Sequence, residues 1–299
     1  MTVASAFSRP AFSRFVAIDW SGARGRRYAG IAVAECTAGD GPPCVVDPPG
    51  GWWSRTAVHD WLLASLDRGP ALIGIDCAFS LPFEVAGRYF ANARCAGDGA
   101  TVFDLWQLVE RITAAEPDFL GGPFAEHPEF AGDFWRAGLQ PDWYTDPHRL
   151  TERVCRAGGY GSPQSAYKLI GSKQVGRGSL AGMRVLRALR AAVPDRVAIW
   201  PFDAPEPGRS VFVEIYPRLF LKRAGFGQRK IREGVDLDAA LAFLNARPAG
   251  LPASVSDHAA DALVSAAGLR WLASRPEVWR PPAMDERARR QEGWIFGVG

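Results

Sequence analysis

Apolar and polar positions alternate from Phe15 to Trp20. Phe15, Ala17 and Asp19 share one face and Val16, Ile18 and Trp20 the other, which predicts a strand ending in a carboxylate. A second apolar segment, Tyr28 to Ala34, follows "SGARGRR", whose two glycines and three arginines predict an exposed hairpin turn. A short third strand is expected near Cys44 to Val46, among prolines. Ser54 is placed to cap a helix whose Val58, Trp61, Leu62 and Leu66 share one side. Ala71 to Cys77 is apolar on both faces, the pattern of a central strand covered by helices, and "VFVEIY", Val211 to Tyr216, repeats it.

The stretch 83–209 between those strands is too long for a loop and carries helical patterns over Thr101 to Thr113 and Leu180 to Ala192. It reads as an inserted, mainly helical lobe rich in Trp, Pro and Gly. Beyond it, Asp236 to Asn245 is predicted helical, and Ser256 opens a helix in which Ala259, Leu263, Ala266 and Ala267 recur, continuing through Leu269 and Leu272. Two prolines after Arg280 end the helical pattern, and Trp294 to Val298 reads as a last extended packing segment. The expected organisation is one α/β domain over 15–275, the lobe 83–209 within it, and a packing tail over 276–299.

Composition narrows the picture modestly. The chain's 299 residues, 47% hydrophobic, supply ample material for a core. The net charge of +3 is too small to announce a polyanionic partner, although 31 Arg against four Lys favours bidentate contacts with phosphate or carboxylate. Cys36, Cys44, Cys77, Cys95 and Cys155 are odd in number, scattered and never spaced C-x-x-C. They suggest neither a disulfide framework nor a zinc knuckle and fit a reducing cytoplasm. No apolar run suits a signal peptide or a membrane span, so a soluble, cytoplasmic protein without a membrane partner is expected.

Acidic residues at strand ends carry the chemistry. Asp19 shares its face with core residues; an Asx turn at Ser21 and Gly22 would be its structural role. Asp76 closes the more apolar strand, and Glu214 lies within "VFVEIY", where its structural explanation would be either an edge-strand glutamate facing water or a buried partner for an arginine such as Arg218. In "SDHAADAL" the helical spacing lets Asp257, His258 and Asp261 point along one side. Asp257 is suited to the first turn of the helix, Asp261 one turn deeper is the better metal ligand, and His258 is either a second ligand or a core histidine. Several carboxylates gathered from strands and a helix suit phosphodiester hydrolysis by two divalent ions about 4 Å apart, which require hard oxygen ligands.

Taken together, "VAIDWSG", "IGIDCAFSLP", "VEIYPRLFLKRAGFG" and "DHAADAL" resemble the family called domain of unknown function 429, whose members are predicted ribonuclease H-like nucleases. The resemblance runs from about Phe15 to Phe296. It implies a ribonuclease H-like mixed five-stranded sheet of order 3-2-1-4-5 with helices on both faces, the lobe between the fourth and fifth strands, and a metal-dependent nuclease using two Mg²⁺ or Mn²⁺ ions on nucleic acid. Carried over, Asp19, Asp76 and Asp261 are catalytic metal ligands, with His258 a further ligand in an H-x-x-D pattern and Glu214 the least secure catalytic acid. In junction-resolving nucleases of this fold the fourth-strand acid is usually glutamate, and Asp76 is one methylene shorter.

Basic residues offer candidate phosphate contacts. "SPQSAYKLIGSKQVGRGS" carries Lys168, Lys173 and Arg177 among Gly, Ser and Gln, read as a loop before the helix at Leu180. Arg218 and Lys222, with Arg223, Arg229 and Lys230, follow Glu214; solvated surface is the plainer explanation for both groups. Two other readings stand beside the nuclease. "AIDWSGA" resembles the phosphate loop of actin-like and sugar-kinase-like ATPases, which duplicate their fold. A non-catalytic scaffold would instead use Trp106, Trp135 and Trp143 as an interaction surface.

Overall fold

The computed structural model describes residues 11–299 other than 26, 84–85, 91–99, 146, 172–173 and 252–253. The five expected strands form, with shifted ends, and a sixth joins them. They are β1 (Arg14–Asp19), β2 (Ala32–Thr37), β3 (Cys44–Val45) and β4 (Ala71–Ile75), followed by β5 (Val197–Ile199) and β6 (Ser210–Glu214). One mixed sheet results, of order β3-β2-β1-β4-β6-β5. β1 runs antiparallel to β2 and parallel to β4, and β6 lies parallel to both β4 and β5.

The expected five-stranded order therefore needs correcting. "VAI" forms a short edge strand ahead of "SVFVE", so the strand read as fifth is sixth in sequence and sits inside the sheet. Three residues followed by Trp200 and Pro201 are too short to show an alternating pattern, which is why the segment reads as part of the lobe. The stretch 83–209 thus adds a strand to the sheet as well as helices.

Helices cover both faces. On one side lie α1 (Arg55–Ser65), α2 (Val102–Thr113) and, after the short α3 (Leu150–Ala157), α4 (Gly176–Ala192). On the other lie α5 (Pro217–Arg223), α6 (Gly234–Phe243) and α7 (Asp257–Ala273), followed by α8 (Pro276–Trp279). Strand parity divides the core. Val16, Ile18, Ile73, Ile75 and Phe212 pack beneath α1, α2 and α4, whereas Phe15, Ala17, Leu72, Val211 and Val213 pack beneath α5, α6 and α7. Ser54 caps α1 by accepting from the Ala57 N–H at 3.0 Å, and Ser256 caps α7 through the Ala259 N–H at 3.2 Å, as predicted.

Gly74 lets α7 cross β4 closely, since a Cβ there would stand 2.9 Å from Leu269 Cδ1 and 2.5 Å from Ile215 Cγ2. The tail is buried at Trp294, Ile295, Phe296 and Val298, and the Phe296 N–H donates to the Glu214 carbonyl at 2.9 Å, continuing beside β6 as an extended segment. No helix among the described residues is long and apolar enough to cross a membrane.

Candidate active site

Register decides which acids meet. Ile18 pairs with Ile75 across the parallel β1–β4 ladder, so Asp19 and Asp76 follow at the same level on adjacent strands. Both have the parity of Ala17 and Gly74, which is the face that α7 covers. Asp261 and His258 reach them from α7, and His258 Nδ1 lies 2.5 Å from Asp19 Oδ2. The three aspartates come from the elements the sequence points to, and none of the three has an arginine in an ion pair among the described residues.

Their proton affinities record this closeness. Burial raises Asp76 well above the usual carboxylate range, and the charges of Asp19, Asp261 and Glu214 raise it further. Asp19 acts on Asp76 both through its charge and as a hydrogen-bonding neighbour, and each effect favours the protonated Asp76. Burial, then Asp19, pushes Asp261 up to about 6. Asp19 is raised by burial, with His258 offsetting part of the effect. His258 is itself raised, chiefly by its hydrogen bond to Asp19, against its own partial burial. Asp257 behaves as its position predicts. It pairs with Lys230 at 2.6 Å and Arg232 at 3.3 Å at the start of α7, and the hydrogen bond from Lys230 lowers its pKa.

Glu214 is placed differently. It has the parity of Phe212, so it leaves the sheet on the side opposite Asp19 and Asp76. There Arg149 grips it through two hydrogen bonds, 2.8 Å from Nη1 to Oε2 and 2.5 Å from Nη2 to Oε1. The structural explanation for Glu214, a buried arginine, therefore applies, with Arg149 in place of Arg218. Arg149 also donates to Glu152 Oε1 at 3.1 Å, and both side chains are about 1% exposed. Burial lowers the Arg149 pKa, but Glu214 and Glu152 outweigh it and the net shift is upward. Burial pushes Glu152 up to about 7 despite Arg149.

This cluster shares the wall of one cleft with Asp76 and holds the turn that follows it. Glu214 Oε2 also accepts the Phe79 N–H at 3.1 Å, and Ser179 Oγ accepts the Ala78 N–H at 3.1 Å, so the turn after Asp76 is held from two sides. Trp106 donates to the Phe79 carbonyl at 2.8 Å and is 1% exposed, which makes it core instead of an interaction surface. Trp135 is partly buried and Trp143 is 44% exposed.

A cleft of about 570 Å³ opens beside Asp76, bordered by the loop after β1, the first turn of α4 and Tyr216. The loop is more firmly tied than an exposed hairpin turn. Fully buried Arg55 donates to the Ser21 and Ala23 carbonyls at 3.0 Å each and to Tyr28 Oη at 2.5 Å, and Tyr28 is buried. β2 consequently starts at Ala32, four residues later than the apolar pattern suggests. The helix expected at Leu180 begins at Gly176, which puts Arg177 in its first turn and into the cleft wall. Glycine makes the junction possible. A Cβ on Gly22 would lie 2.2 Å from Arg177 C and from Gly178 N, and Trp20 Nε1 donates to the Gly178 carbonyl at 3.0 Å.

The other basic candidates divide. Lys168 donates to Gln164 Oε1 at 2.9 Å, Lys222 to the Gly159 carbonyl at 3.0 Å, and Arg218 to the Arg229 carbonyl at 2.8 Å, so the last two brace backbone. Arg177 forms no ion pair among the described residues. Lys173 lies outside the described residues, as does Cys95. Sequence reasoning missed Arg149, Arg55 and Arg24. The one local signal was Glu152 three residues after Arg149, whose carboxylate accepts the Arg149 N–H at 2.9 Å as in a capping box.

The donor chemistry of Asp19, Asp76 and Asp261 suits a hard divalent cation, being all oxygen and without an arginine in an ion pair among the described residues. As the side chains stand, no group of three His, Cys, Asp or Glu among the described residues has the arrangement of a ligand set. No protein-family profile, curated protein or solved structure matches the chain, so the resemblance to domain of unknown function 429 rests on its motifs alone.

Proposed function

We propose that the protein is a metal-dependent nuclease that hydrolyses phosphodiester bonds of nucleic acid on a ribonuclease H-like sheet. The observation that carries this reading is the placing of Asp19 and Asp76 at one level of adjacent strands, with Asp261 of α7 close enough for its charge to act on Asp76. Buried carboxylates that repel one another, one of them in the wall of a cleft, are costly unless their charge has a use. These three would hold Mg²⁺ or Mn²⁺, and such ions, when bound, lower the pKa of an attacking water and stabilise the leaving oxygen. His258 holds the orientation of Asp19, and Glu214, gripped by Arg149, holds the turn that carries Asp76.

Charge around the acids favours a phosphate-bearing substrate. Arg24 and Arg177 line the cleft, and the charges of Arg218 and Lys230 act on Asp261. A polyanion entering the cleft would meet these cations. A non-catalytic scaffold is favoured by one observation, the lack of a three-residue ligand arrangement among the described side chains. The actin-like reading requires a duplicated sheet, and the described residues form one.

The test is cleavage of labelled single- and double-stranded DNA and RNA by purified protein, with Mg²⁺, with Mn²⁺ and with chelator, beside Asp76→Asn. Metal-dependent cleavage that Asp76→Asn abolishes while the chain stays folded is expected, with a melting temperature that rises in the presence of metal. Identical melting with metal and with chelator, and no cleavage of any substrate, would establish the scaffold instead.

A further inference from the structure

Arg177, in the wall of the cleft at Asp76, also lines a second cavity of about 440 Å³. Its walls include Phe134, Trp135, Arg136 and Glu126. Arg177 lines both spaces, and the Arg24–Glu126 ion pair, at 3.4 Å, links a wall of the first with a wall of the second.

Trp135 is fixed but not hidden. Its backbone N–H donates to the Tyr167 carbonyl and its carbonyl accepts from the Leu169 N–H, each at 2.9 Å. Its Nε1 donates to the Gly138 carbonyl at 3.3 Å, and Tyr144 meets the ring edge-on with centroids 5.1 Å apart. The indole nonetheless stays partly exposed, with Lys168 Nζ 5.3 Å from the ring centroid. Exposed Arg136 and half-buried Arg177 supply cations around it.

A rigid, accessible aromatic beside guanidinium groups is the recurrent means of holding a base by its face and its phosphate by charge. A base stacked within a duplex cannot enter a cavity of this size; one splayed from a single strand can. The Arg24–Glu126 pair, 65% and 50% exposed, contributes little where it is, so Arg24 can exchange the carboxylate for a substrate phosphate at small cost.

We propose that this second cavity binds an unpaired nucleobase next to the phosphate held at Asp76, and that the substrate is therefore single-stranded nucleic acid. The inference rests on the nuclease reading for its catalytic half, but its binding half is tested separately. The probe is a short fluorescein-labelled oligonucleotide, single-stranded or annealed into a blunt duplex, titrated with Asp76→Asn protein and followed by anisotropy. Single strands are expected to bind at least ~10-fold more tightly than the duplex, and Trp135→Ala in the same background to weaken single-strand binding about 10-fold while leaving duplex binding unchanged.

Ala137→Trp, which fills the cavity from an exposed position, is expected to do the same with an unchanged melting temperature, so misfolding of the Trp135 variant does not decide the outcome. Equal affinity for duplex and single strand, or single-strand binding that neither variant weakens, overturns the proposal. Cleavage by wild-type protein is measured in parallel. Cleavage with unaffected variant binding removes the subsite and leaves the nuclease; Trp135-dependent binding without metal-dependent cleavage removes the nuclease and leaves the subsite.

Discussion

Replacing Asp261 with asparagine should make the metal-free protein more stable, the opposite of what removing a buried polar contact usually does. Asp261 makes no hydrogen bond or ion pair among the described residues, and burial followed by Asp19 pushes its pKa from an ordinary 3.8 to about 6. That difference corresponds to up to about 3 kcal/mol of native-state destabilisation when the group is ionised; because the side chain keeps some contact with water, roughly 1–3 kcal/mol is expected. The folded-state value is the higher one, so the folded chain holds the extra proton between 3.8 and about 6, and stability falls as pH rises through that window. The neutral amide of the variant carries no such penalty. Urea unfolding of Asp261→Asn and wild-type protein in chelator should therefore give similar stabilities near pH 4 and a more stable variant at about pH 7.5. Mg²⁺ should close the gap by stabilising the wild type more than the variant. A variant no more stable at neutral pH, or an advantage of equal size at acid pH, would refute the claim that burial and Asp19 together make the ionised Asp261 costly.

Two further outcomes follow from the packing around the site. Arg149→Met leaves Glu214 and Glu152 buried without their cation and should cost about 3–5 kcal/mol in urea unfolding, with part recovered in the double variant Arg149→Met/Glu214→Gln. Gly22→Ala places a methyl 2.2 Å from the backbone of Arg177 and Gly178, so the loop after β1 or the first turn of α4 must move. A loss of about 1–3 kcal/mol, read from thermal or urea unfolding, together with reduced metal-dependent cleavage, is the expected result.

Much of the site was legible because its signals are local. A carboxylate at the end of an apolar strand stands out against the cost of burying it, and Asp19 and Asp76 do so within six or seven residues of sequence. Helical spacing likewise put His258 and Asp261 on one side of α7, and Ser54 and Ser256 announced their caps. Glu214 shows the limit of such reasoning. Its alternation within β6 was read correctly, but which face of the sheet that parity faces depends on the register with β4, and the register pairs it with Ile75, on the opposite side from Asp76. Its partner, Arg149, is 65 residues away and arrives at the start of α3.

The sequence alone determined an α/β chain with apolar strands ending in acids, capped helices and a glycine-rich turn after Asp19, because alternation, spacing and capping depend on neighbours a few residues apart. Tertiary structure decided the rest. It inserted β5 at the sheet edge, paired Glu214 with Arg149, tied Lys222 and Arg218 to backbone carbonyls, and placed Arg177 in the walls of both the cleft at Asp76 and the aromatic cavity. Each of those outcomes depends on strand register or on contacts between distant segments, and neither leaves a periodic trace along the chain.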